Sequence, residues 1–157
     1  MSQLRISDKP VRNKVFISYS HQDKKWFDLV LTHLKPLERE GRINVWKDTQ
    51  IKGGERWYEE IKKAIEVTKV AILLVSPHFY ASDFIAKDEL PPLLDAAEKD
   101  GAIILTVNVR PSFFVNDSKL NQYQAINSVE RSLNKISQSN QDKTLLALSQ
   151  RLMEILT

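Results

Sequence analysis

Apolar positions along this chain switch repeatedly between two periods. VFISY (15–19) is a β-rich run bounded by Lys14 and the polar stretch SHQDKK, and it predicts a strand. Phe27, Val30, Leu31 and Leu34 then fall at i, i+3, i+4 and i+7, one face of a helix. Ser20 or Asp23 is placed to cap its start and Gly41 its end, while Pro36 should kink the helix or end it early. INVW (43–46) predicts a second strand and KDTQIKGGER (47–56) a polar loop. Trp57, Ile61, Ala64, Ile65 and Thr68 form a second helical stripe. VAILLVS (70–76) and AIILTVNV (102–109) are apolar without alternation, as expected of strands covered on both faces of a parallel sheet. Between them, LLDAAEKDG predicts a helix that ends at Gly101. From 112 to 140 the pattern weakens into Asn, Ser, Gln and Lys, which predicts irregular structure with one short helix near 120–136. Leu145, Leu148, Leu152, Ile155 and Leu156 mark a last helix over about 141–156.

Strands alternating with helices imply a parallel sheet with right-handed crossovers and helices on both faces. In such sheets ligands bind outside the carboxyl ends of the strands. Those ends are Tyr19-Ser20-His21, Trp46-Lys47-Asp48, Ser76-Pro77-His78 and Asn108-Val109-Arg110, so function is sought there.

Bulk composition narrows the options. A length of 157 residues suits one domain with its own core, here 14–157 after a polar lead-in over 1–13. No cysteine is present, which excludes disulfides and thiolate metal sites and is compatible with a reducing compartment. Net charge is +3, from 23 basic and 20 acidic residues, too mild and too well mixed to indicate a nucleic-acid partner. No apolar run approaches the roughly 18 residues of a membrane span, and the N-terminus lacks a secretory apolar core. The expected location is cytoplasmic.

Phosphate-binding patterns of the G-x-x-x-x-G-K-[ST] and G-x-G-x-x-G types are absent, as is the G-x-S-x-G nucleophile elbow. His21, His33 and His78 are the three histidines, no two of them at i, i+4, so no metal site is expected. IKGGERW (51–57) reads either as a plain turn before a helix or as a projecting contact loop. Gly53 and Gly54 permit positive φ, and Lys52 and Arg56 reinforce the helix N-terminus toward anions. SPHFYASDFIAKDEL (76–90) holds a more pointed pattern. Ser82 or Asp83 can cap a helix starting near Phe84; Ile85 and Glu89 share a face, and Asp88 points about 100° away. Leu90 and Pro91 each precede a proline, which puts Glu89 beside a break or kink at the third strand's carboxyl end. By pattern alone, an acid there is usually a wet surface residue.

Four stretches in order resemble one family. VFISYSHQDKKW, VWKDTQIKGGERWYEEIKKAI, VAILLVSPHFYASDFIAKDEL and IILTVNVRP are similar to the successive strands and following segments of Toll/interleukin-1 receptor (TIR) domains, bacterial ones especially. The resemblance runs from about 14 to 111, and LNQYQAIN (120–127) adds to it. It implies a flavodoxin-like α/β three-layer sandwich, with a central parallel sheet of four to five strands and helices on both faces. Two kinds of function come with it. Some members are interaction modules that self-associate, with the BB loop prominent; here that loop covers about 47–56 and includes Asp48, Lys52, Gly53, Gly54 and Arg56. Others cleave the nicotinamide–ribose bond of NAD+ to give nicotinamide and ADP-ribose or a cyclic form, as in bacterial defence and signalling. NAD+ is then the substrate, no cofactor is implied, and other TIR domains are the partners.

In the enzymes a glutamate early in the third helix is essential, commonly four residues after a tryptophan. Glu89-Leu90 fits that ending, but Ile85 stands four back and the aromatic, Phe84, five back. Pairing Phe84 with the tryptophan would put Asp88 in the slot; Glu89 is preferred for its length and the leucine after it. The implied substrate-binding positions are Tyr19, Ser20, His21, Trp46, Ser82 and Phe84 around catalytic Glu89.

Overall fold

The computed structural model describes residues 11–46 and 55–156, with side chains over 11–46 and 58–156. Strand β1 (Lys14–Ser18) leads through a 3-10 turn (His21–Asp23) into helix α1 (Lys24–Arg39). Helix α2 (Glu55–Glu66), strand β2 (Thr68–Val75) and short helix α3 (Pro77–Ala81) follow. A π-helical turn (Ile85–Glu89) runs into α4 (Leu90–Lys99), then come β3 (Ile103–Asn108), the two-residue β4 (Gln124–Ala125) and α5 (Gln138–Leu156).

Among the described residues the four strands are parallel, in the order β1-β2-β3-β4. Val45 forms a parallel bridge to Val15 on the outer edge of β1: Val15 N–H donates to the Asn44 carbonyl and Trp46 N–H to the Val15 carbonyl, both at 2.9 Å. Counting that segment, the chain visits the sheet in the order 2-1-3-4-5, the flavodoxin arrangement. The predicted strand INVW is thus one rung rather than a ladder. It is an edge segment: Asn44 is exposed, Ile43 and Val45 pack into the α1–α5 layer, and Trp46 turns to the other face against Phe16.

Strand alternation divides the core into two layers. Val15, Ile17, Val70, Ile72, Leu74, Leu105 and Val107 face α1 and α5, meeting Phe27, Val30, Leu34, Leu145, Leu148 and Leu152. Phe16, Ala71, Leu73, Val75 and Ile104 face the other way, onto Ile61, Ala64, Phe79, Ile85 and Leu93. Both faces are covered, which is why β2 and β3 carry apolar residues without alternation. Each fully buried leucine or isoleucine here contributes on the order of 1.5–3 kcal/mol from area removed from water.

Local signals resolve as follows. Helix α1 continues through Pro36 to Arg39 instead of stopping early. It ends where Gly41 adopts φ 73°, with Gly41 N–H bonded to the Glu38 carbonyl and Arg42 N–H to that of Leu37. Ser20 accepts the Gln22 N–H at 3.2 Å, whereas Asp23 makes no cap and turns inward. Helix α5 begins three residues earlier than expected, because Ser137 caps it by accepting the Asn140 N–H at 3.2 Å. The expected short helix over 120–136 is absent. Three 3-10 turns (Leu120–Gln122, Val129–Arg131, Leu133–Lys135) flank β4 instead. Buried Leu120 and Leu133 anchor this stretch to opposite layers of the core, a demand no single helical face meets.

Candidate functional site

Three chain segments meet where the sheet's carboxyl ends open. The first is the end of β1. Alternation puts Phe16 and Ser18 on the α3–α4 side, and Ser18 is the last residue of the strand, only 1% exposed. Beyond it, Tyr19 stacks on Phe27 with ring centroids 4.0 Å apart, and His21 stacks on Tyr19 at 5.8 Å. The second segment is Trp46, whose indole lies parallel to Phe16 at 5.4 Å.

The third segment starts at Ser76, the last apolar-run residue before Pro77. Ser76 Oγ accepts the Phe79 N–H at 3.0 Å and donates to the buried carboxylate of Asp23, tying the 3-10 turn to the end of β2. Ser82 then accepts the Ile85 N–H at 3.2 Å, so of the two possible caps Ser82 is the one used. From Ile85 the helix widens: the Leu90 N–H reaches back five residues to the Ile85 carbonyl. Pro91 and Pro92 explain the location. They supply no N–H to the carbonyls behind them, so they tolerate the first positions of α4 but cannot continue a regular ladder out of the preceding turn. Wide turns of this type hold one surplus residue. The five-residue separation of Phe84 and Glu89 spans this turn, and Phe84, Ile85 and Glu89 all border one cavity.

That cavity has a volume of about 410 Å³. Glu89 reaches it from the π turn and is 8% exposed; its Oε1 accepts a 2.6 Å hydrogen bond from the Ser18 hydroxyl. Tyr19, Ser20, His21, Trp46, Ser82 and Phe84, six positions drawn from three separate stretches of sequence, are all on its wall. Phe16, Phe27 and His78 complete the aromatic lining. His33 lies elsewhere, its Nε2 3.0 Å from Asp142 of α5. Among the described residues, no three His, Asp or Glu side chains converge as a metal ion would need. Asp48, Lys52, Gly53 and Gly54 lie outside the described residues; Arg56 sits on the first turn of α2, its side chain likewise undescribed.

Sequence reasoning missed Ser18 and the Asp23–Ser76 pair. Ser18 sits inside an apolar strand, where a small polar residue reads as filler; its in-facing parity was the available signal. Asp23 looked like a helix cap, the commonest use of that residue in that place.

Chemically, the arrangement presents, among the described residues, one carboxylate in an aromatic-walled recess at the crevice of a parallel sheet. A family model described as TIR domain matches residues 15–149. The chain belongs to the TIR family. An uncharacterized protein of Sinorhizobium fredii, y4lF, is 33% identical to this TIR domain over 96 residues, which is 61% of the chain and 30% of that protein. The chain therefore spans less than a third of that relative's length. Among solved structures, the TIR domains of the activated Roq1 resistosome, which directly recognizes the pathogen effector XopQ, match over 91% of this chain and 84% of that one. The TM-score is 0.49 and the identity 21%. No helix among the described residues is long and apolar enough to cross a membrane.

Proposed function

We propose that this TIR domain cleaves the nicotinamide–ribose bond of NAD+, with Glu89 as the catalytic residue. The observation that carries the reading is the buried Glu89 carboxylate opening on an aromatic-walled cavity at the carboxyl edge of the sheet. Nicotinamide departs from NAD+ as a neutral molecule, so the reaction needs no acid to protonate the leaving group. One carboxylate therefore does what glycosidases of the usual kind divide between two. Glu89 accepts hydrogen bonds from the ribose hydroxyls and stabilises the positive charge that grows on the ring as the bond breaks. Such preorganised stabilisation typically contributes about 3–4 kcal/mol, or roughly 10²–10³ in rate. The rings of Trp46 and Phe84 provide flat surfaces against which nicotinamide or adenine stacks, each worth about 0.5–1.5 kcal/mol beyond area burial, while Tyr19, already stacked with Phe27 and His21, shapes the wall between them.

Nicotinamide leaves with the electrons of the broken bond, and the ribose carbon then takes either water, which loses a proton to give ADP-ribose, or a nucleophilic nitrogen of the same molecule's adenine, which gives the cyclic form. Association of TIR domains through the 47–56 segment switches the activity on, a part of the reading that rests on the family resemblance of that segment. The test is incubation of the protein with NAD+ at high protein concentration or with a crowding agent, following nicotinamide by chromatography. Glu89→Gln keeps the size of the side chain and should reduce release at least about 100-fold. Equal release from wild type and Glu89→Gln, or none from wild type under any assembly condition, would sink the reading.

A further inference from the structure

We infer that Ser18 is a positioning residue for Glu89, clamping one carboxylate oxygen so that the group is presented to the cavity in a single orientation. The inference rests on the reading of Glu89 given above.

Four observations support it. The Oγ–Oε1 distance of 2.6 Å lies in the range of a hydroxyl bound to an ionised carboxylate. Both partners are buried, at 1% and 8% exposure, so the hydrogen bond between them is made inside the protein. Ser18 is anchored by the sheet, its Cα in register with Leu73 of β2, whereas Glu89 stands in a π turn whose ladder is wider than an α-helix. A rigid strand therefore holds a group from a less regular element. Finally, packing alone would not select serine here. Phe16, two residues back on the same face, fills core space with a ring, and Ser18 gives up that burial for one hydroxyl.

The consequence is preorganisation. A carboxylate held less firmly would have to be fixed during the reaction, and a misplacement of about 1 Å can cost on the order of 10²-fold in rate. Removal of the hydroxyl should act on turnover more than on substrate binding, because the aromatic walls that hold the rings are untouched. It should also make Glu89 easier to protonate, since a donated hydrogen bond favours the charged form. Among the described residues, the other titratable side chains around Glu89 are Tyr19, His21 and His78 on the cavity wall, Asp23 bonded to Ser76, Lys14 on the strand that carries Ser18, Asp83, Lys87 and Asp88 close to Glu89 in sequence, and Asp95, Glu98 and Lys99 along α4. All of them remain in a Ser18 variant, so a difference between variants reports the lost hydroxyl.

The experiment compares wild type, Ser18→Ala and Ser18→Thr in NAD+ cleavage and in the pH titration of the Glu89 carboxyl carbon by NMR. Ser18→Ala should lower kcat by about 10- to 100-fold with KM within about threefold, and should move the Glu89 midpoint to higher pH. Ser18→Thr keeps a hydroxyl on a strand position that favours β-branching and should restore both readouts. An unchanged kcat in Ser18→Ala, or an unchanged Glu89 midpoint, overturns the inference. If no protein in the series cleaves NAD+, the reading of Glu89 as catalytic fails. The NMR midpoint still decides whether Ser18 governs the carboxylate: an upward shift supports the clamp, and no shift removes it.

Discussion

Tyr80 shows how much one side chain can couple. Its hydroxyl donates to Asp117 Oδ2 at 2.8 Å, while Asp117 Oδ1 accepts the N–H groups of Lys119 and Leu120. The same ring meets Phe79 and Phe113 edge to face. Burial first, then the hydrogen bond and the negative charge of Asp117, push the phenol's pKa well above its ordinary value. The sign for stability follows. An unfolded chain releases this proton from pH about 10 upward, while the folded protein keeps it. The unfolded state then binds fewer protons, so stability falls as pH rises. Below pH 10 the contribution is fully present. Burial raises Tyr123 in the same direction, with Glu98 adding to it. Tyr80→Phe should therefore cost about 1 kcal/mol at neutral pH from the lost hydrogen bond, yet flatten the alkaline decline. Urea titrations at pH 7 and pH 11 check this, and a parallel loss in both proteins would refute it.

Among the elements, the π turn is the one with a history readable in its geometry. Ile85 and Glu89 are buried, Ala86 and Lys87 exposed, and the segment continues into α4 without a break in helical structure. One residue is surplus to an α-helical ladder, and the exposed side of the turn is where it can be given up. Deleting Lys87 should leave a folded protein in which the Phe84-to-Glu89 interval is an ordinary α-turn and both flanks keep their packing. Circular dichroism should show undiminished helix, with Tm within a few degrees of wild type; an unfolded deletion variant would show that the turn is not a simple insertion. The sequence pointed to this place through its two prolines, which predicted a break beside Glu89. It could not indicate the form of the break, because a kink, a stop and a widened turn all relieve the same missing N–H groups.

Across the whole molecule, legibility tracked burial. VAILLVS and AIILTVNV announced two covered strands because both faces of the sheet are packed, and the β/α alternation that follows led to the correct fold class. Tyr19, Ser20, His21 and Trp46 came from the rule that ligands meet the carboxyl ends of strands, which needs strand order but no side-chain detail, whereas Ser82 and Phe84 came with the family resemblance. What was hidden has a common cause. INVW is an edge, 112–140 is held by isolated anchors such as Leu120 and Leu133, and Ser18 and Ser76 owe their places to partners 71 and 53 residues away. Contacts of that span leave no periodic trace in a local window.

The buried Ser18–Glu89 pair finally separates fitness for a task from fitness to fold. A buried polar couple gains little over apolar groups of the same shape, and replacing both partners together is often neutral or favourable. The double variant Ser18→Ala, Glu89→Leu should accordingly be at least as resistant to urea as the natural protein, though Glu89→Leu alone would leave the Ser18 hydroxyl stranded and cost about 1–3 kcal/mol. A double variant less stable than either single change would show that the pair is there to hold the fold. A tougher one would mean that the molecule keeps a weak point in its own core, at a place where a wholly apolar interior would be inert.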